Sequence, residues 1–590
     1  MERKDIDINE TWDLSQIYES NDLFYKDLET SKELLNNISN QKETFLNSKE
    51  NCLKFHKDYT HLLRIANKLY CYAHLNCDVE PNNQEYQTMN SAILTFFNEF
   101  SIKLDFYSNM MIDNDEKVKE FIKDESFKDY RYTIEEVLRE KEHILSQELE
   151  TILSKTHGMA DVSEKVFDAL RLEFEDVEVN GKKETLNSAT LSQFLKNKNR
   201  DVRKQAYHHF FKEYKKYENV FAATLSGNME KDAFYADVRK FSSPLTASLF
   251  NDNVPEKLFF KILEKANKEY RPLFHRYNHL KKEIIGLDVL YNYDLSTPIV
   301  EDVEKKYTID ECFNIINKAL KPLGDDYLKI INKARKERWI DYHPHKGKRI
   351  GAYSSGCYDT NPYILMNFIG DYNSLSTMIH ELGHSCHTYL SNQNQHPANS
   401  SYRIFVAEVA STVNETLLIN YMLNNSESKE EKAYFLYELL ENCVGLIYRQ
   451  PMYAQFEHTL HTWAKDHVPM SAKTITELYD KLNAEYYGPD VKNDELVGHS
   501  CFYIPHFYYN YYVYKYTLGM TVALAIVSRI LNGDNKQVEY YLNFLKSGGS
   551  KSPIDLLKDA HVNPLEDSIY DDAFHYFEDI LNQFEEIMNS

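Results

Sequence analysis

Seventeen glycines and fifteen prolines are spread over 590 residues. All-β sandwiches and barrels turn about every 8–12 residues and rely on those two residue types to do so. A chain this poor in both is predicted to run in long helices with few connections. Apolar residues make up 43% of it, enough for a large core, and the length allows about two to four domains. The stretch CLKFHKDYTHLLRIANKLYCYAHL, residues 52–75, repeats apolar side chains three and four apart, the pattern of a packed helix. Pro81-Asn82-Asn83 marks a turn after it. Thr133 stands three residues before Glu136, the capping-box spacing, which predicts a helix start there.

The helical pattern breaks twice. At FEDVEVNGKKETL, residues 174–186, Asn180-Gly181 lies between short alternating segments and predicts a hairpin. At 347–370, GKRIGAYSSGCYDTNPYILMNFIG carries four glycines and two extended apolar runs, which predicts a small sheet with a loop between its strands. A helix is expected from about Ser374. Helical pattern then continues almost to the end, interrupted near Gly488-Pro489 and Gly548-Gly549.

The formal charge of −23 excludes a nucleic-acid binder of the ordinary kind, since phosphates demand clustered Lys and Arg. Eight cysteines occur with no CxxC pair and read as reduced thiols. The first twenty residues contain no apolar signal core, and no run of about 18 apolar residues occurs, so neither a secretory signal nor a membrane span is expected. A cytoplasmic protein is the expectation.

Within STMIHELGHSCHTYL stands His380-Glu381-Leu382-Gly383-His384. Helical positions four apart share a face, about 6 Å apart along the axis, so both imidazoles can reach one Zn2+. Glu381, next to the first ligand, can reach a water at the metal and act as general base. A catalytic zinc needs a third protein ligand. His387 and Leu390 occupy the positions where another zinc-peptidase class would need Gly and His, and Arg403 and Ile404 occupy those where a third class would need Glu. The next acid is Glu408, in RIFVAEVASTVNETLL, a segment without Gly or Pro that reads as a second helix. Glu408 is assigned as third ligand. Glu415, two turns on, is assigned as the carboxylate that accepts the other N–H of a ligand imidazole. His387 is a rival ligand, but it lies about 10 Å along the axis from His380. Cys386 points off the ligand face and reads as a packed thiol.

GAYSSGCYDTNPYILMNF, IHELGHSCH, FVAEVASTVNE and IPHFYYNYYVYKYTLG resemble, in this order, the thimet oligopeptidase family of zinc metallopeptidases, most closely its bacterial oligoendopeptidase F branch, as does the N-terminal ETWDLSQIY. The resemblance implies a mainly α, zincin-type peptidase with a deep channel and a small β-sheet beside the active-site helix. It implies an N-terminal helical domain over 1–190 and a catalytic domain over 200–590. It implies one Zn2+ per chain on His380, His384 and Glu408, with Glu381 as base. His506, Tyr511 and Tyr514 fall where the family has the groups that steady the reacting carbonyl. Short peptides are the implied substrates, cut internally, while folded proteins are spared.

That resemblance bears on the six tyrosines between Pro505 and Gly519. On one continuous helix, Tyr511 and Tyr514 would share a face with Phe507, and Tyr508, Tyr512 and Tyr516 would form another. The first face is expected toward the zinc. A strand over residues 363–368, if it is a free edge, can pair with an extended peptide. Three alternatives stay open at this stage: a peptide-binding protein without catalysis, a zinc carboxypeptidase of the same fold, and a helical di-iron or metal-storage protein. The last lacks the paired Glu-x-x-His pattern it would need around His380.

Overall fold

The structure, a computed structural model, describes residues 2–301 and 305–590. It divides into two compact units, each discontinuous in sequence. The first comprises Met1–Ile144, Glu304–Tyr421 and Ile526–Asn563; the second comprises Leu145–Val303, Met422–Ala525 and Pro564–Ser590. Both are built almost wholly of helices, as the scarcity of turn residues predicts.

In the first unit, three helices follow one another: α1 (Asn21–Ser39), α2 (Lys49–Val79) and α3 (Gln84–Lys103). α2 buries Phe55, Leu62, Ala66 and Leu69 completely, the three-and-four spacing read from the sequence. The turn at Pro81-Asn82-Asn83 ends in a cap: Asn83 Oδ1 accepts the N–H groups of Glu85 and Tyr86 at 3.0 and 3.4 Å. The expected capping box at Thr133 is not formed. That helix runs Arg131–Arg139, so Thr133 lies inside it and its hydroxyl donates back to the Tyr130 carbonyl. Glu136 instead pairs with Arg139 and Arg403.

A three-stranded sheet packs beside these helices: β1 (Ile340–Asp341), β2 (Tyr353–Ser355) and β3 (Tyr363–Leu365). The order is β1-β3-β2, with β3 parallel to β1 and antiparallel to β2. The expected free edge over 363–368 is therefore the centre of the sheet. The N–H groups of Ile364, Met366 and Phe368 bond to Trp339, Asp341 and Tyr342. The edge strand on the other side is β2. Tyr363 and Leu365 join the N-terminal apolar core, where Trp12 meets the Tyr363 ring edge-on at 6.3 Å.

Directly after the sheet comes α4 (Tyr372–Asn394), capped by Asp371, whose Oδ1 accepts the Ser374 N–H at 2.8 Å. α4 buries Leu375, Met378, Ile379, Leu382 and Cys386. α5 (Ile404–Asn424) crosses it at Gly383. A Cβ at Gly383 would lie 2.7 Å from the Ser411 Cα, so only glycine permits this approach. Asn414 Nδ2 donates to the Ile379 carbonyl at 3.2 Å, and its Oδ1 accepts the Tyr327 hydroxyl at 2.9 Å. These contacts fix which faces of α4 and α5 meet.

The second unit holds the predicted hairpin. Val177–Val179 pairs with Lys182–Glu184 around Asn180 and Gly181, at φ 52° and 76°. In the same unit the tyrosine-rich stretch is not one helix. A 3-10 turn covers Pro505–Tyr508, the chain then bends, and the helix Tyr514–Leu531 begins six residues later. Asn510 and Tyr511 stand at φ 38° and 57°, left-handed values that no α-helix tolerates. The wheel that grouped Phe507, Tyr511 and Tyr514 therefore does not apply. Every cysteine is unpaired with another in a disulfide, in line with reduced thiols. Among the described residues no helix is long and apolar enough to cross a membrane.

Candidate metal centre

α4 and α5 bring His380, His384 and Glu408 together, with one donor atom of each within 4.8 Å of the others. His380 Nε2 and His384 Nε2 are 3.2 Å apart, and Glu408 Oε2 lies 3.7 and 3.9 Å from them. Donors about 2.0–2.1 Å from a shared tetrahedral ion are separated by about 3.3–3.4 Å. The triangle thus has nearly the size a zinc ion requires, and its two imidazoles and one carboxylate are the donor set of a catalytic zinc with a fourth position open. The residues present fit the ion.

The surroundings are tuned for a cation. His380 Nδ1 bonds to Glu415 Oε2 at 3.0 Å, which leaves Nε2 facing the triangle. Burial works to lower the His380 pKa, but the Glu415 carboxylate overrides it and raises the value to about 9. Three carboxylates face that ring, so the place holds positive charge whether as a proton or as a metal ion. His384 has no such partner; burial and the His380 charge push it down to about 3.

Glu381 stands in the same turn and interacts with the His380 ring and the Glu408 and Glu415 carboxylates. It is 6% exposed, and its Oε2 has no hydrogen-bond partner among the described residues. Burial pushes its pKa up to about 7, against the pull of His380. A buried acceptor without a partner is costly and marks a group held for chemistry rather than for packing.

His387 is not part of the group. Its ring is buried and stacked on Tyr402 at 3.6 Å. Cys386 is buried, and burial pushes its thiol up to about 12, in line with a packed role.

His506, Tyr511 and Tyr514 belong to the second unit. Tyr511 is fixed there by buried polar groups: Glu457 accepts its N–H, its hydroxyl meets His458 Nδ1 at 3.0 Å, and its ring stacks on His461 at 4.5 Å. Tyr514 is fully buried. His506 is half-buried among the rings of Tyr509, Tyr512 and Tyr516, and its imidazole has no hydrogen-bond partner among the described residues.

Residues 193–576 match the family model of Peptidase family M3, and residues 114–173 match that of Oligopeptidase F. The chain belongs to peptidase family M3. This M3 peptidase is 37% identical to Oligopeptidase PepF of Bacillus subtilis, over 100% of its own length and 88% of that protein. It is 31% identical to an oligoendopeptidase F homolog of Borreliella burgdorferi, over 99% of both. The crystal structure of oligoendopeptidase-F from Enterococcus faecium shares its fold with a TM-score of 0.73 at 29% identity, over 96% of this chain and 99% of that one. As a member of the family it is a metallopeptidase, a hydrolase of peptide bonds.

Four serines lie around these groups and carry no sequence signature. Ser376 donates to Glu415 at 3.2 Å, Ser411 to Glu408 at 3.3 Å, and Ser354 shares a hydrogen bond with Ser385 at 2.8 Å. Each is an ordinary hydroxyl until the fold sets it beside a carboxylate or a helix. Glu415→Gln, which weakens the hold on His380, is expected to reduce zinc affinity about 10–100-fold in a chelator-competition titration. An unchanged affinity would leave Glu415 with no part in holding the ligand.

Proposed function

We propose that this chain is a zinc-dependent endopeptidase that cuts internal bonds of short oligopeptides and spares folded proteins. One observation carries the reading: a His380–His384–Glu408 donor triangle of zinc size, with the buried carboxylate of Glu381, one oxygen of which has no partner among the described residues, in the same helical turn. The oligoendopeptidase names of the relatives favour the same substrate class.

His380, His384 and Glu408 would hold the ion. When bound, zinc supplies Lewis-acid polarisation of the peptide carbonyl and eases deprotonation of water beside it. Glu381 takes the proton of the attacking water as its oxygen adds to the carbonyl carbon. It then returns that proton to the leaving amine nitrogen. A pKa raised to about 7 suits a group that must accept and then release a proton near neutrality. Ser411 and Glu415 hold the ligands in orientation. His506 serves as donor to the oxyanion that develops on the carbonyl. Its ring nitrogens have no hydrogen-bond partner among the described residues. The division of labour follows the sequence, with the helical part over 1–190 and the catalytic part over 200–590.

Internally quenched peptides of about ten residues, blocked at both ends, test this. Cleavage between the blocks, abolished by chelator and restored by zinc, with a folded protein left intact, is the expected result. Cleavage only of peptides with a free C-terminus would replace the endopeptidase by a carboxypeptidase. Binding without cleavage would replace it by a peptide-binding protein.

A further inference from the structure

The first unit contains a cavity of about 560 Å³ that the mechanism does not use. Its wall includes Tyr59, Tyr107, Tyr130, Tyr358 and Tyr402. Two elements of the metal centre run directly into it. On α4, Thr388 lines the cavity one turn beyond His384, on the same helical face. On the edge strand β2, Ser355 lines it, next to Ser354, whose hydroxyl is bonded to Ser385. A peptide lying along β2 with its carbonyl at the metal centre is therefore led to this cavity.

The wall chemistry selects the guest. Its cation and its histidines are already engaged. Arg64 is held by Asp359 at 2.9 and 2.5 Å, with its guanidinium over the Tyr358 ring. His56 meets the Tyr107 hydroxyl at 2.9 Å, and His74 meets Ser355 at 3.1 Å. The Thr388 and Tyr402 hydroxyls bond each other at 2.8 Å. Burial lowers both histidines, which keeps them neutral. What remains for a guest is aromatic ring surface edged by neutral polar groups such as Asn67 and Ser401, with no spare charge. A charged side chain would give up its water and meet no counter-charge. An aromatic one would find ring faces and edges. A cavity of about 150 Å³ already holds benzene, so size admits a Phe, Tyr or Trp side chain together with neighbouring peptide.

We infer that this cavity is a substrate subsite for an aromatic side chain of the bound peptide, and that it sets a preference along the peptide which the metal centre itself cannot. The inference rests on the peptidase reading above. Two bulky substitutions on the wall, Val137→Trp and Leu63→Trp, fill the cavity from different helices without touching the metal centre.

The test moves one Phe stepwise along blocked peptides otherwise built of alanine and serine. In the parent enzyme one position is expected to raise kcat/KM at least about 10-fold over its alanine counterpart. In both filled variants that advantage is expected to fall below about 3-fold, while alanine peptides are cut as before. A second readout needs no turnover. Cys357, also on the wall, has its thiol held below the ordinary value by a hydrogen bond from Cys71, which favours alkylation. In Glu381→Gln, the Phe peptide is expected to slow iodoacetamide labelling of Cys357, and the alanine peptide is not. Cleavage with no aromatic preference, or a preference and a labelling rate untouched by filling, would overturn the subsite and leave the peptidase standing. Absence of any chelator-sensitive cleavage would overturn the peptidase reading, and the subsite with it.

Discussion

Glu381→Gln is expected to cut peptides roughly 10³- to 10⁴-fold more slowly than the parent enzyme while binding zinc as tightly. The substitution keeps the size of a side chain that is 6% exposed, so packing is undisturbed. It removes only the ability to take up a proton. Oε2 of Glu381 bonds to no described residue, and the hydrogen bond that the carboxylate accepts from the Ser354 backbone N–H can be kept by the amide oxygen of glutamine. Steady-state kinetics with a quenched peptide, beside a zinc titration of the same preparation, measures both parts. A variant that keeps full turnover would remove Glu381 from the chemistry. One that loses zinc as well would make it a ligand rather than a base.

Glu408→Ala is expected to have a comparable effect by another route. It takes away the only carboxylate of the donor triangle, and Glu415 cannot replace it because Glu415 already holds His380 Nδ1. Zinc affinity is expected to fall by more than about 100-fold, beyond the range typical of an outer partner such as Glu415. Activity measured without added zinc is expected to vanish and to return in part at high zinc. Retention of a full complement of zinc by this variant would mean that another residue is the third ligand.

Much of this site was legible in the sequence because helices make spacing meaningful. His380 and His384 are four apart on a helix that the single Gly383 between them does not interrupt, so their convergence follows from the pitch. Glu408 and Glu415 were reachable for the same reason, seven apart on an uninterrupted apolar helix. The hairpin at Asn180-Gly181 was legible because that dipeptide takes left-handed φ at little cost.

The failures have physical reasons too. Residues 363–368 read as an edge because their neighbour β1 is only two residues long, too short to leave a pattern, and sits more than twenty residues upstream. The tyrosine stretch read as a helix because nothing local announces that Asn510 and Tyr511 turn left-handed. Glu457, more than fifty residues away, supplies the acceptor for the Tyr511 N–H. Thr133 has the spacing of a capping box, but the helix starts earlier and Arg403 claims Glu136. In each case a contact distant in sequence overrode a local preference. The four serines beside the carboxylates and on α4 and β2 belong to the same class, since a lone hydroxyl has no spacing to betray it.

The account stands on one ion held by two imidazoles of α4 and one carboxylate of α5. Elemental analysis of active protein, purified without added metal and without chelator, tests that most directly. One zinc per chain is predicted, removed together with activity by chelator and absent from His384→Ala. Full activity in material that contains no metal would contradict it.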